Sequence, residues 1–212
     1  MVVGMASVRG EYWATGRFGV DAGFGVQRRP DGTLDSRDAS IHAVYRAIAE
    51  PTAVVTVRAG LSIPTGGVGS AFTFTPLSTA SVDPRLSVDA ALGATWLVLP
   101  SLSARIPVYR GWDGRLQGAF FRADLRGARR FGAVVPWVGL SVSEQMEGSH
   151  PTLTPPMREL AATGGATIAV GKKWGVNAQV RAPLLVGGLA TKVWSAAVSV
   201  RYVLRREPKD EH

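Results

Sequence analysis

Along most of the chain apolar and polar residues alternate with a period of two, the pattern of pleated strands whose two faces differ in chemistry. The clearest case runs from Thr163 to Leu204. In its last stretch Trp194, Ala196, Val198, Val200, Tyr202 and Leu204 share one face, and Ser195, Ala197, Ser199 and Arg201 share the other. Just upstream, Val176, Ala178, Val180, Ala182 and Leu184 alternate with Asn177, Gln179 and Arg181 after a Gly-Lys-Lys-Trp-Gly hairpin.

The same period predicts strands over residues 3–13, 18–28, 39–49, 53–63, 86–99, 102–110, 115–127 and 131–144, followed by three final runs. Turn chemistry separates them: Pro30-Asp31-Gly32, Glu50-Pro51, Pro64-Thr65-Gly66-Gly67, Pro100-Ser101 and a short Gly-Trp-Asp-Gly at 111–114. Residues 64–85 lack a sustained period and are expected to form a long loop, able to fold inward as a constriction. Pro136 inside a strand predicts a bulge, because proline cannot donate to a ladder.

Eleven strands are legible, and the connections between them alternate short and longer. Such alternation is typical of up-and-down barrels in outer membranes, where single-chain bacterial examples have even strand counts. The expected fold is therefore all-β, an antiparallel up-and-down transmembrane barrel over residues 1–204 with a charged tail at 205–212. An even count implies a twelfth strand and a signal peptide before Met1.

Alternation alone leaves the polarity open, since a soluble lipocalin-like barrel also alternates. Three features favour apolar faces turned to lipid. Many runs reach the nine to eleven residues of a spanning strand, the apolar faces carry essentially no charge, and Lys and Glu are scarce where a soluble surface would use them. Weaker support comes from Tyr12, Trp13, Trp96, Trp174, Trp194 and Tyr202, which fall near strand ends, where interfacial girdles sit. No stretch is long and apolar enough for a helical span, so strands are the only route across a membrane.

The formal net charge is +8 and the pI about 10.6, values that raise the question of nucleic acid. The arginines, however, are scattered one or two per strand with no basic run and no recognition motif, so no nucleic-acid partner is expected. On the polar faces lie Arg9, Arg46, Arg58, Arg105, Arg122, Arg126, Arg181 and Arg201, opposed by Glu11, Asp21, Asp89 and Asp124. These twelve are the expected pore-lining set. Their excess of positive charge predicts either paired bracing or a bias toward anionic solutes.

Enzymatic chemistry finds little support. There are no cysteines and only three histidines, His42, His150 and His212, with no spacing that joins them to acids as a triad or metal set. No catalytic residue, metal or cofactor is expected.

Three segments carry a family resemblance: GEYWATGRFGVDAGFGV near the start, RAGLSIPTGG at residues 58–67, and TGGATIAVGKKWGVNAQVRAPLL at residues 163–185. In these the chain resembles outer-membrane barrels of the meta-pathway phenol-degradation type. The resemblance implies a passive channel in the outer membrane for small, hydrophobic or anionic molecules, with bilayer lipids and the barrel-insertion machinery as partners. It departs from the family at the end, where Leu204 and the charged RREPKDEH stand in place of a terminal aromatic. The competing expectation is a structural or ligand-binding barrel without an open pore.

Overall fold

The computed structural model describes residues 2–28, 34–63, 83–106, 119–147, 156–188 and 194–205. Eleven strands make a single sheet: β1 (Val2–Trp13), β2 (Phe18–Arg28), β3 (Leu34–Glu50), β4 (Ala53–Ile63), β5 (Asp83–Leu92), β6 (Trp96–Arg105), β7 (Phe120–Arg129), β8 (Val134–Gln145), β9 (Met157–Val170), β10 (Trp174–Gly188) and β11 (Trp194–Arg205). Each pairs antiparallel with its sequence neighbours, and β11 returns to β1, closing the barrel.

The closing pair is parallel, running from Val2↔Trp194 to Trp13↔Arg205. This corrects the expectation of a wholly antiparallel barrel. In an up-and-down meander with an odd strand number the first and last strands point the same way, so direct closure has to be parallel. The barrel closes on eleven strands with no twelfth between them.

Tight connections cluster at one end of the barrel: residues 14–17, 51–52, 93–95, 130–133 and 171–173. Three of them use glycines with positive φ, Gly93 at 109°, Gly132 at 59° and Gly171 at 65°. Gly93 marks a shift from the expected boundaries. The run at 86–99 divides at this turn, and Pro100 and Ser101, expected to form a turn, pair with Leu125 and Asp124 inside β6. An unbroken period across the turn concealed it, because Ala94 and Trp96 continue the apolar alternation.

Pro136 produces no bulge. Val134 exchanges backbone hydrogen bonds with Phe131, so alternation turns the nitrogen of Pro136 to the same edge, where pairing with β7 has stopped at Trp137. The irregularities lie elsewhere, between Gly23 and Gly25, between Arg46 and Ile48, and between Pro183 and Leu185. The second reverses parity at the end of β3, so Ile48 rather than Ala47 joins the outer apolar face. The expected long loop begins to pair at Asp83. Its remainder at 64–82, the GWDG connection at 111–114 and the tail beyond Arg205 lie outside the described residues.

The polarity of the barrel is inverted relative to a soluble one. Val138, Leu125, Leu102, Val180 and Val198 stand exposed on the outer wall, whereas Glu11, Asp21, His42, Thr56, Ser62, Ser141 and Ser143 are buried inside. Around the tight-turn end the outer wall carries aromatic groups: Phe18 packs on Tyr45, Trp174 packs on Tyr202, and Arg129 lies over both Trp96 and Phe131. Trp13 is the exception among the aromatics expected in a girdle. It shares the parity of Glu11, points inward and is buried.

Candidate functional site

All twelve expected pore-lining residues fall on the inner face by strand parity, and the structure divides them between two walls. On the β1–β5 wall, Arg58 is the centre. Its Nε donates to Asp21 Oδ2 at 3.0 Å, one terminal nitrogen donates to Asp89, and another lies 3.7 Å from Glu11. A single guanidinium thereby joins carboxylates from three other strands. Its five donors in a planar fork make it suited to that task where a lysine would not be.

Burial gives these pairs their weight. The side chain of Asp21 is fully shielded, and that of Arg58 is 13% exposed. Carboxylates in such a place are tolerable only when paired and hydrogen-bonded. His42 Nδ1 sits 2.8 Å from the other oxygen of Asp21, and Ser101 donates to Asp89 at 2.6 Å. Arg9 and Arg201 occupy the periphery, 3.9 Å from Asp21 and 3.7 Å from Glu11, and both are about half exposed. Arg9, Arg58 and Arg201 together match Glu11, Asp21 and Asp89 charge for charge.

The β6–β10 wall is built differently. Arg122 grips Asp124 on its own strand with two nitrogens, at 2.8–3.1 Å. Arg181 donates to Glu159 at 2.8 Å and to Ser143 at 3.3 Å. Arg126 has no carboxylate partner among the described residues and lies 5.1 Å from the centroid of Trp137. Beneath it Leu97, Ala128 and Trp137 form a small buried apolar cluster that faces inward. Arg46 stacks 4.2 Å over Trp13, near the tight-turn end, and Arg105 faces Arg85 across β5 and β6.

Large inner side chains are accommodated by glycines in register on the next strand. Trp13 opposes Gly19, His42 opposes Gly60, Arg126 opposes Gly139 and Trp137 opposes Gly165. A Cβ on Gly60 would lie 2.8 Å from the His42 ring, and one on Gly139 would lie 2.7 Å from Cγ of Arg126. The large groups therefore lie flat across the neighbouring strand. This alternation of large and small residues is how small barrels fill their interiors.

Several contributors were not expected from sequence. Glu159 was missed because β9 begins at Met157, within what reads as a proline-bearing loop. Trp13 and Trp137 had the right parity to be found, and His42 lay on a polar face, but its partner Asp21 sits on another strand at a distance only the register reveals. The described residues contain no group of His, Cys, Asp and Glu arranged to hold a metal ion. No protein-family model and no curated protein matches the chain.

Proposed function

We propose that the chain is a membrane-spanning barrel of the outer membrane whose narrow, charged lumen passes small solutes, with a preference for anions. The observation that carries this reading is the inverted polarity: an outer wall of Val, Leu and Phe around an interior of carboxylates, arginines and hydroxyls. In water that arrangement exposes apolar surface far beyond what a monomer normally shows, whereas in a bilayer it meets hydrocarbon outside and keeps every strand paired. The ring of aromatics at the tight-turn end fits the headgroup level. Closure leaves no unpaired edge in the lipid.

The anion preference rests on the uneven neutralisation of the lumen, since rings and clusters of fixed charge set selectivity in narrow passages. Reconstitution in planar bilayers tests it. The expected result is conductance in discrete steps, with a reversal potential that moves toward cation preference in Arg126→Gln and moves less in Arg122→Gln, whose charge Asp124 already offsets. A second reading, a sealed barrel of structural role, has one observation in its favour: the side chains of Asp21 and Ser141 are fully shielded from solvent. A sealed barrel gives no conductance.

A further inference from the structure

Two neighbouring connections at the tight-turn end carry four exposed cations: Arg129 and Arg130 where β7 turns into β8, and Lys172 and Lys173 between β9 and β10. Neither residues 126–135 nor residues 165–177 include an Asp or Glu. On the β2–β4 part of the same rim the exposed charges balance in number, Arg17 against Glu50. Backbone hydrogen bonds tie the cationic turns to their neighbours. Arg130 N–H donates to the Thr95 carbonyl at 2.8 Å, Ala169 to that of Ala133 at 2.8 Å, and Val203 to that of Lys173 at 2.9 Å. The two turns are two strands apart, roughly 10 Å at the usual strand spacing.

The cations stand at the top of an ordered outer wall. Arg129 shares the outward parity of Leu125, and its guanidinium carbon lies 5.0 Å from the centroid of Trp96 and 4.7 Å from that of Phe131. Cation–π contact with the rings leaves the guanidinium N–H groups open to an oxyanion. Among the described residues none of the four cations has a carboxylate partner. Trp174, next to Lys173, packs on Tyr202 and is exposed on the outside. Further from the rim the wall is apolar, with Leu125, Val138, Ile168 and Val170 all exposed.

We infer that this sector of the rim is a docking surface for anionic phospholipid. Arg129, Arg130, Lys172 and Lys173 take the phosphate and the net negative charge, the rings of Trp96, Phe131 and Trp174 lie at the headgroup boundary, and the acyl chains run along Leu125, Val138 and Ile168. The order of cation, aromatic and apolar groups matches the order of headgroup, interface and hydrocarbon in a lipid. A free phosphate or an acidic protein would use only the first of these layers. The inference rests on the membrane-spanning reading and is independent of an open pore.

The test uses two variants of the full chain, one retaining only Trp174 and the other only Trp194, with Phe at the other five tryptophans. Trp194 begins β11 at the opposite end of the barrel and serves as the control. Each is inserted into equimolar vesicles of phosphatidylcholine and phosphatidylglycerol, with acyl-chain bromines carried by one lipid or by the other. Quenching of Trp174 is expected to report phosphatidylglycerol enriched about threefold or more beside it, since each cation near a headgroup layer is worth about fivefold in attachment to anionic lipid at most. Trp194 is expected to be quenched equally by the two lipids. Replacing Arg129, Arg130, Lys172 and Lys173 by Gln should bring Trp174 to the same parity. If that variant does not insert, Lys172→Gln with Lys173→Gln carries the comparison and should lower the preference about twofold.

Equal quenching of Trp174 by both lipids in the parent chain overturns the inference and leaves the membrane-spanning barrel standing. The same preference at Trp194 overturns it as well, because the effect would then not be local to these turns. Glu207, Asp210 and Glu211 follow β11, which ends at this rim. Their replacement by Gln, Asn and Gln is expected to leave the preference unchanged, and a rise of about threefold or more would assign the cations to the chain's own tail instead. No quenching at either tryptophan by either lipid would remove the membrane reading and this inference with it.

Discussion

The two walls of the lumen solve the same problem, how to keep arginines inside a barrel, in different ways. On the β1–β5 wall Arg58 joins Glu11, Asp21 and Asp89, with half-exposed Arg9 and Arg201 of β1 and β11 completing the charge balance, and Glu11, Asp21 and Arg58 are the shielded members of the cluster. On the β6–β10 wall arginines pair locally or stack on an aromatic. The first wall is bracing. The second carries the charge of Arg126 without a carboxylate partner among the described residues, and the proposed selectivity rests on that asymmetry.

The difference should be measurable as stability. Arg58→Met leaves the buried carboxylates of Glu11 and Asp21, and the partly exposed one of Asp89, without their shared partner and is expected to cost about 3–5 kcal/mol. Arg126→Met removes only a stacking contact and should cost about 1 kcal/mol. Urea unfolding in lipid vesicles, followed by tryptophan emission, reads both. Equal costs would mean that the walls are not distinct.

The contrast between outer and inner faces comes next in size. Val198→Arg is expected to cost about 2–4 kcal/mol if the residue lies near the bilayer midplane, with the neighbouring Ser199→Arg much milder. The same unfolding assay checks it, and a reversed order would assign the faces the other way round. Smaller effects come from the glycines. Gly60→Ala brings a Cβ to 2.0 Å from the Ile41 carbonyl oxygen and against the His42 ring, and should cost about 1–3 kcal/mol. Gly127→Ala, with nothing within 4 Å, should stay within about 0.5 kcal/mol. Similar costs at the two sites would remove the role given to glycine in seating the large inner groups.

Much of this barrel was legible from the alternation of side chains, which fixes strand number and face wherever parity is unbroken. It fails where parity continues through a turn, as at Gly93, or changes within a strand, as at Ala47. The twelve inner residues could be assigned to a face from sequence, but not to one another. Partnership depends on register, and register between β2 and β3 or between β4 and β5 is set by bulges and long connections that carry no periodic signal. Arg122 and Arg126 looked equivalent in the sequence, two residues either side of Asp124. The structure distinguishes them, because the guanidinium of Arg122 turns to Asp124 whereas that of Arg126 crosses Gly139 to lie by Trp137.

The central claim is that the apolar wall faces lipid and the charged wall does not. Trp194 is exposed on the outside and Trp137 is buried inside, which makes the tryptophans natural reporters. Two variants of the full chain, each retaining one of these tryptophans and carrying Phe at the other five, can be inserted into vesicles containing brominated phospholipid, whose acyl-chain bromines quench at short range. The account predicts strong quenching of Trp194 and markedly weaker quenching of Trp137. Strong quenching of Trp137 with little at Trp194, or a folded barrel that quenches at neither and stays out of the vesicles, would contradict it.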